Sequence, residues 1–400
     1  MWWERRLELW VDHIRSQAAL PLALELWNGQ QLQFGCDAPQ VIIRIPQRSA
    51  LKYFWKPSLA SLGEAYVNGK IEVEGKAKAV IAVANALAAR TLKMDGKFGR
   101  MVHGFRHSRE SDTQAVRFHY DVSNDFYRLW LDENMVYSCA YFELGNENLG
   151  TAQTKKIDHI LTKIQVQPGD SLLDIGCGWG ALVLRAASKF GARCVGITLS
   201  EQQAELARQR VARAGLCDRV EIRVQDYRDV DGSFDRVTSV GMFEHVGLKN
   251  LPLYFSKIAN LLTERGMAMN HGITSTDVES GATPYGGSEF IEKYVFPHGE
   301  LPHVGLALKC MQQGGLEVLD VENLRRHYAR TCGMWVDNFE AKGEEIRRLA
   351  GDQRFRIWRM YLAGSQYAFQ NDWISLYQVV CAKAGRDPST LPQSRRYMYV

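Results

Sequence analysis

Hydrophobic positions along this chain follow two different periods. Near the start they alternate. Leu22 to Trp27 and Gln40 to Ile45 (QVIIRI) read as short strands, set apart by the turn signals Asn28-Gly29 and Asp37-Ala38-Pro39. A helix is predicted from near Ser58, with Glu64 to Gly75 (EAYVNGKIEVEG) after it. Ala77 to Ala89 reads as a packed helix, too short to span a bilayer. These elements predict a small mixed α/β module.

The pattern changes from Asp112 onward. Strands are predicted at Ser171 to Ile175, Arg193 to Ile197, Val220 to Val224, Phe234 to Val240 and Gly266 to His271. Helices are predicted at Ala181 to Phe190, Glu201 to Ala214 and Leu251 to Leu262. Such alternation predicts an α/β fold, an open and mostly parallel sheet with helices on both faces. The 400 residues exceed one typical core, so two domains are expected: 1–110, ending in a linker, and 111–400.

Composition changes this picture little. The chain is 46% hydrophobic and 24% charged, with a mean hydropathy of −0.26, as in folded soluble proteins. The opening MWWERRLELW lacks the apolar block of a secretory signal; its tryptophans and arginines suit either a membrane surface or a first core helix. The eight cysteines form no CxxC pair, which argues against zinc and redox motifs and fits a reducing cytoplasm. Net charge is only +4, but Lys93, Lys97, Arg100, Arg106 and Arg109 stand against one acid, Asp95. That run is either a solvated linker or a patch for an anionic surface.

Candidate chemistry begins at Asp174 to Gly180 (DIGCGWG), between a predicted strand and a predicted helix. Gly176, Gly178 and Gly180 allow positive φ and close approach of a ligand to backbone. In open α/β sheets ligands sit at the carboxyl ends of strands, where this loop lies. The spacing is GxGxG rather than the GxGxxG of dinucleotide sites, and the next strand ends in Gly196-Ile197-Thr198-Leu199-Ser200, with no acid for a ribose diol. Asp226 follows the third strand. The order resembles that of class I methyltransferases, which bind S-adenosylmethionine.

A second, more specific resemblance lies in HYDVSNDFYRLWLDENMVYSCAYF (His119 to Phe142), LLDIGCGWG, GITLSEQQ, SVGMFEHVG (Ser239 to Gly247) and the pair His271/Ile273. A core helix would account for Phe126, Leu129 and Trp130, but not for Tyr120, Asp121, Ser123, Asn124 and Tyr137-Ser138-Cys139. In this order and spacing the segments resemble the cyclopropane fatty acid synthase family, with its mycolic acid cyclopropane synthase relatives, from about His119 to Cys381. LGEAYVNGKIEVEG (Leu62 to Gly75) resembles the accessory domain of the bacterial phospholipid enzymes.

The resemblance implies a Rossmann-like, seven-stranded class I methyltransferase domain with an inserted helical lid around an acyl pocket, beside the small N-terminal domain. It implies that the sulfonium methyl is attacked by a cis alkene of an acyl chain, giving a carbocation that loses a proton as the ring closes. It implies a bound bicarbonate as the base. Carried over by motif, its pocket is Cys139, Glu244, His271, Ile273 and Tyr328, with Cys139 and Ile273 acting through backbone groups. A carboxylate beside an anion needs relief, either from a cationic His271 or from bicarbonate donating a hydrogen bond to Glu244.

The cofactor residues implied are Tyr137, Ser138, Asp174, Gly176, Cys177, Gly178, Gly180, Thr198, Gln203 (or its neighbour Gln202), Asp226, Tyr227 and Arg228. No metal is implied. Cys381, in an apolar strand, is expected to have no catalytic role. This sequence has His-Gly-Ile at 271–273, where many family members have His-Thr-Ile. Relatives with the same motifs give methyl or methylene branches instead of rings. The implied partners are unsaturated phospholipid chains, an anionic membrane surface and a second copy of the chain, in a cytoplasmic enzyme on the inner face of the membrane. Residues 320–370 are expected to shape the tunnel mouth. A non-catalytic lipid-binding protein, or a methyltransferase of small molecules or nucleic acid, are the competing readings. No base-reading module supports the last.

Overall fold

Alternating inward positions build the smaller of two sheets. Val41, Ile43 and Ile45 are buried along one strand while Ile42 and Arg44 between them are only partly covered, the period-two pattern of a half-buried strand. The computed structural model describes residues 2–35, 38–91, 123–279, 281–297 and 299–399. The basic run from Lys93 to Arg109, together with Tyr120 and Asp121, lies outside them. In the small sheet β1 (Leu22–Leu26), β2 (Gln31–Gln33), β3 (Val41–Ile45) and β4 (Glu72–Glu74) take the order β2-β1-β3-β4. The hairpin between β1 and β2 turns at Asn28-Gly29, where Gly29 has φ 82°. The predicted helix begins at Ser58 with a reciprocal capping box to Ser61 and spans Leu59–Val67.

Backbone contacts divide the chain into two discontinuous units. One, within residues 1–103, also takes Ala282–Pro297 and Cys332–Asn371; the other comprises the described residues of 104–281, 298–331 and 372–400. A sequence boundary near 110 therefore differs from the packing, because later helices complete the core of the first unit. The helix Ala77–Thr91 packs on Asp352–Gln370. Arg359 is buried, donating to the Glu340 carboxylate at 2.9 Å and to the Tyr66 hydroxyl at 3.2 Å. Glu340 also accepts from the Ala77 N–H at 3.0 Å. At Gly63 an added Cβ would meet the Phe290 ring at 2.7 Å, so this glycine allows the helix Gly287–Tyr294 to approach.

The second unit carries a seven-stranded sheet in the order β7-β6-β5-β8-β9-β11-β10. Its strands are β5 (Ser171–Ile175), β6 (Arg193–Thr198), β7 (Val220–Val224), β8 (Phe234–Val240), β9 (Leu262–Ser275), β10 (Leu316–Asn323) and β11 (Ile374–Lys383). Strands β5 to β9 pair in parallel, whereas β11 runs antiparallel to both β9 and β10. This is the fold expected of a class I methyltransferase. Helices Leu149–Lys163 and Ala181–Phe190 bury Ile157, Ile160, Leu182 and Val183 on one face. Leu251–Leu261 and Val304–Gln313 bury Tyr254, Phe255 and Met311 on the other. Both faces are covered, so polar residues of the central strands such as Asp174, Thr238, Ser239 and His271 are buried along with the apolar ones. Among the described residues, no helix is long and apolar enough to cross a membrane.

Candidate active site

Strands β5 and β8 are neighbours, and the chain leaves them toward opposite edges of the sheet. Such a switch point opens a crevice at the carboxyl ends of the strands. A cavity lies there, walled by Asp174 to Trp179, Thr198, Gln203, Gln225, Tyr227, Met242 and His245, with Tyr137, Ser138 and Lys156 closing one side. The glycine loop is drawn onto β6, since the N–H groups of Gly176 and Cys177 both donate to the Ile197 carbonyl. Gly180 opens the helix Ala181–Phe190 at φ 83°, and a Cβ there would press on Ala207 at 3.2 Å.

Nine of the twelve cofactor candidates line this cavity: Tyr137, Ser138, Asp174, Gly176, Cys177, Gly178, Thr198, Gln203 and Tyr227. Gly180 begins the helix behind it. Asp226 and Arg228 bond to each other, with the carboxylate accepting from Arg228 Nε at 2.9 Å and Nη2 at 2.7 Å, and neither is part of the wall. Thr198 donates to Gln203 Oε1 at 2.8 Å, which fixes Gln203, and not the exposed Gln202, toward the cavity. Asp174 is buried under the loop and accepts from Thr238 Oγ1 at 2.7 Å. Burial lifts its carboxyl to about 6 against that hydrogen bond.

In the described part of this segment, 123–142, Asn124–Arg128 forms a helix, and the chain then runs on to Cys139 without strand or helix. Side chains hold it there. Asp132 accepts from the Val136 N–H at 2.9 Å, Gln153 donates to the Ser138 carbonyl at 2.8 Å, and Lys156 Nζ donates to Ser138 Oγ at 2.8 Å. Gln153 and Lys156 lie three residues apart on one face of Leu149–Lys163. Both are buried, and burial takes the Lys156 ammonium down to about 8. Sequence reading missed them; the available signal was two polar residues on the apolar face of a helix. Tyr127, Trp130, Tyr137 and Trp179 pack as an aromatic wall, with ring centroids 5.0 Å apart for Tyr127 and Trp179 and 5.4 Å for Trp130 and Tyr137.

Three of the five pocket candidates come together at the ends of β8 and β9. Glu244 sits in the turn after β8, buried, and its Oε1 accepts from the Ile273 N–H at 2.6 Å. The Ile273 N–H, expected to face an anion, is thus engaged by Glu244. Burial raises the Glu244 carboxyl to about 7, against the pull of that hydrogen bond. His271 is fully buried on β9, and burial drives its imidazole well below its ordinary value, with Lys156 and Lys163 adding to the shift. A cationic His271 is therefore disfavoured. Glu244 Oε2 and His271 Nε2 are each buried without a hydrogen-bond partner in the protein, and Glu244 is bonded to Ile273, two residues along β9 from His271; both atoms are free to meet a small polar ligand. Cys139 and Tyr328 both reach Leu324, whose carbonyl lies 3.8 Å from Cys139 Sγ and accepts from the Tyr328 N–H at 3.0 Å. Burial pushes the Cys139 thiol far up and the Cys381 thiol to about 12, so neither is a nucleophile.

Gly272 has a local cause. A Cβ there would run into the ring of Phe243, the residue before Glu244. Gly272→Thr is expected to destabilise the protein by about 1–3 kcal/mol through overpacking and to displace Glu244. Urea denaturation of Gly272→Thr, of Phe243→Val and of the pair checks this. The double variant is expected to be more stable than the sum of the two single effects.

Comparison with known proteins decides the family. The model of the mycolic acid cyclopropane synthetase family matches residues 107–379. The chain belongs to this family. A domain of unknown function, DUF7884, matches residues 9–95. The chain is 44% identical over 383 residues to a probable fatty acid methyltransferase of Pseudomonas putida, covering 95% of this chain and 96% of that one. It is 33% identical over 368 residues to the cyclopropane-fatty-acyl-phospholipid synthase of Escherichia coli K12, covering 90% and 93%. The crystal structure of mycolic acid cyclopropane synthase CmaA1, complexed with SAH and CTAB, superposes with a TM-score of 0.65 at 35% identity, covering 68% of this chain and 98% of that one. Family and fold together make the protein an S-adenosylmethionine-dependent methyltransferase.

Proposed function

We propose that this enzyme transfers the methyl group of S-adenosylmethionine to the cis double bond of an unsaturated acyl chain in a membrane phospholipid and closes a cyclopropane ring. The observation that carries the reading is two buried, partnerless polar atoms: Glu244 Oε2, in the turn whose Met242 and His245 line the glycine-loop cavity, and His271 Nε2, on the strand that Glu244 bonds. When bound, the cofactor supplies an electrophilic sulfonium methyl. Tyr137 and Trp179 line the cavity, where an aromatic ring's quadrupole would stabilise positive charge on cofactor and substrate. Ser138, Thr198, Gln203 and Tyr227 orient the cofactor with the Gly176 to Gly180 loop. Glu244 and His271 hold a small anion, bicarbonate, which supplies a base for the proton lost at ring closure. With His271 neutral and the Glu244 carboxyl lifted to about 7, the repulsion between acid and anion is relieved by a proton shared with Glu244. Cys139 and Tyr328 complete that pocket through the backbone and the hydroxyl. The enzyme works on the inner face of the cytoplasmic membrane, as a dimer whose paired attachment sites add avidity. The basic run from Lys93 to Arg109 serves the membrane contact.

A second reading has its own support. The Pseudomonas putida relative, 44% identical, carries the name probable fatty acid methyltransferase, and the Phe243 ring occupies the space a side chain at Gly272 would take beside Ile273. In that reading the cation is deprotonated elsewhere and a methyl or methylene branch results. Purified enzyme, S-adenosylmethionine and unsaturated-phospholipid vesicles test both. Cofactor turnover is expected with vesicles and not with RNA or small acceptors. A product resistant to mild hydrogenation supports the ring; a methylene branch that is reduced supports the alternative. Turnover with RNA alone would overturn both.

A further inference from the structure

His271 and Gln378 face each other across paired strands β9 and β11, in direct register and both fully buried. The Gln378 amide Nε2 stands 3.3 Å from His271 Nδ1. With the amide nitrogen turned to the ring, the Nδ1 it meets is the acceptor and carries no proton. Burial disfavours the imidazolium, and Lys156, Lys163 and His159 all oppose a positive charge on this ring. A neutral imidazole whose Nδ1 accepts has its proton on Nε2. That Nε2 is buried without a protein partner, two residues along β9 from Ile273, whose N–H donates to Glu244.

We infer that Gln378 is a positioning residue that fixes the tautomer of His271, so that His271 presents an N–H donor, and not a lone pair, to the anion site. The inference rests on the anion pocket proposed above and assigns His271 its part there. The histidine is a hydrogen-bond donor to an oxyanion and does not itself take the substrate proton. Gln378 sits in an otherwise apolar run, LYQVVCA, where a buried amide needs a partner. Its own Oε1 has none in the protein, which marks the His271 contact as the one that holds the amide.

The test is nitrogen-15 spectroscopy of histidine-labelled full-length enzyme, with His271→Asn to identify the signals. A protonated, pyrrole-type Nε2 and a pyridine-type Nδ1 are expected across neutral pH. The opposite tautomer, with the amide turned so that its carbonyl accepts, overturns the inference, as does an imidazolium. Gln378→Met keeps the volume and removes the donor. It is expected to mix the two tautomers and lower kcat about tenfold, leaving KM for S-adenosylmethionine within about twofold. An unchanged spectrum in Gln378→Met also overturns it. If the Nε2–H tautomer is seen while turnover ignores added bicarbonate, the anion reading fails and the positioning role of Gln378 stands.

Discussion

Replacing Glu244 by alanine is expected to lower kcat/KM for unsaturated phospholipid by about 100- to 1,000-fold, the range seen when one preorganised polar group is taken from a charge-stabilising site. Two functions are lost together. The Ile273 N–H loses its acceptor at 2.6 Å, and the partnerless Oε2 disappears. Glu244→Gln keeps an acceptor for Ile273 and an N–H donor in place of the carboxylic proton, so its loss is expected to be several-fold smaller. The pH profile separates the two roles. Because burial lifts the Glu244 carboxyl to about 7, the protonated form that donates to an anion is depleted above that pH. Wild-type activity is expected to fall as pH rises through about 7, and Glu244→Gln to show no such step. Steady-state rates with vesicles from pH 6 to 9, with bicarbonate held in excess, measure this. Equal rates for wild type and Glu244→Ala, with both folded, would remove Glu244 from the site.

The largest stability effect is expected at Lys163, on the far turn of the helix that carries Lys156. Its side chain is wholly buried and donates to Asp320 at 3.1 Å and to Glu322 at 2.6 Å. His159 holds the same Glu322 oxygen at 2.8 Å. Lys163→Met leaves the buried Asp320 carboxylate with only Arg395, at 3.3 Å and largely exposed. A loss of about 3–5 kcal/mol is expected, as for other buried pairs broken from one side. Acid weakens the same cluster. Burial pushes the Glu322 carboxyl upward, but the His159 hydrogen bond and the Lys163 charge outweigh it and carry it down to about 2 from an ordinary 4.5. A folded value below the unfolded one adds stability above about pH 4.5 that is lost as pH falls toward 2. The gap between wild type and Lys163→Met in urea midpoint is therefore expected to narrow over that window. A gap that stays constant would show that Glu322 is not held by Lys163.

Much of this molecule was legible before any coordinates. Strand β5, the helix Ala181–Phe190 and strand β8 fall on their predicted bounds, since a sheet covered on both faces leaves apolar-rich strands bounded by glycine and polar turns. The glycine loop follows from motif and strand-end logic, whereas the choice of Gln203 over Gln202 took the hydrogen bond from Thr198. Less legible was whatever depends on residues distant in sequence. Nothing local in Cys332–Asn371 reveals that it packs with the N-terminal unit, because its partners Tyr66, Gly75 and Ala77 lie more than two hundred residues away. The aromatic segment departs from a core helix, as its polar residues suggested: Phe126, Tyr127 and Trp130 are buried, while side chains of Asp132, Gln153 and Lys156 hold the backbone after Arg128. Gly272 had been visible only as a departure from His-Thr-Ile, and the Phe243 ring gives it a steric reason.

The most direct test of the central claim is mass spectrometry of phospholipid acyl chains after incubation of purified enzyme with S-adenosylmethionine and unsaturated-phospholipid vesicles. Unsaturated chains are expected to gain the mass of one methylene, at a rate that collapses in Glu244→Ala. Unmodified chains in the presence of bound S-adenosylmethionine would contradict lipid alkylation and turn the search to another acceptor.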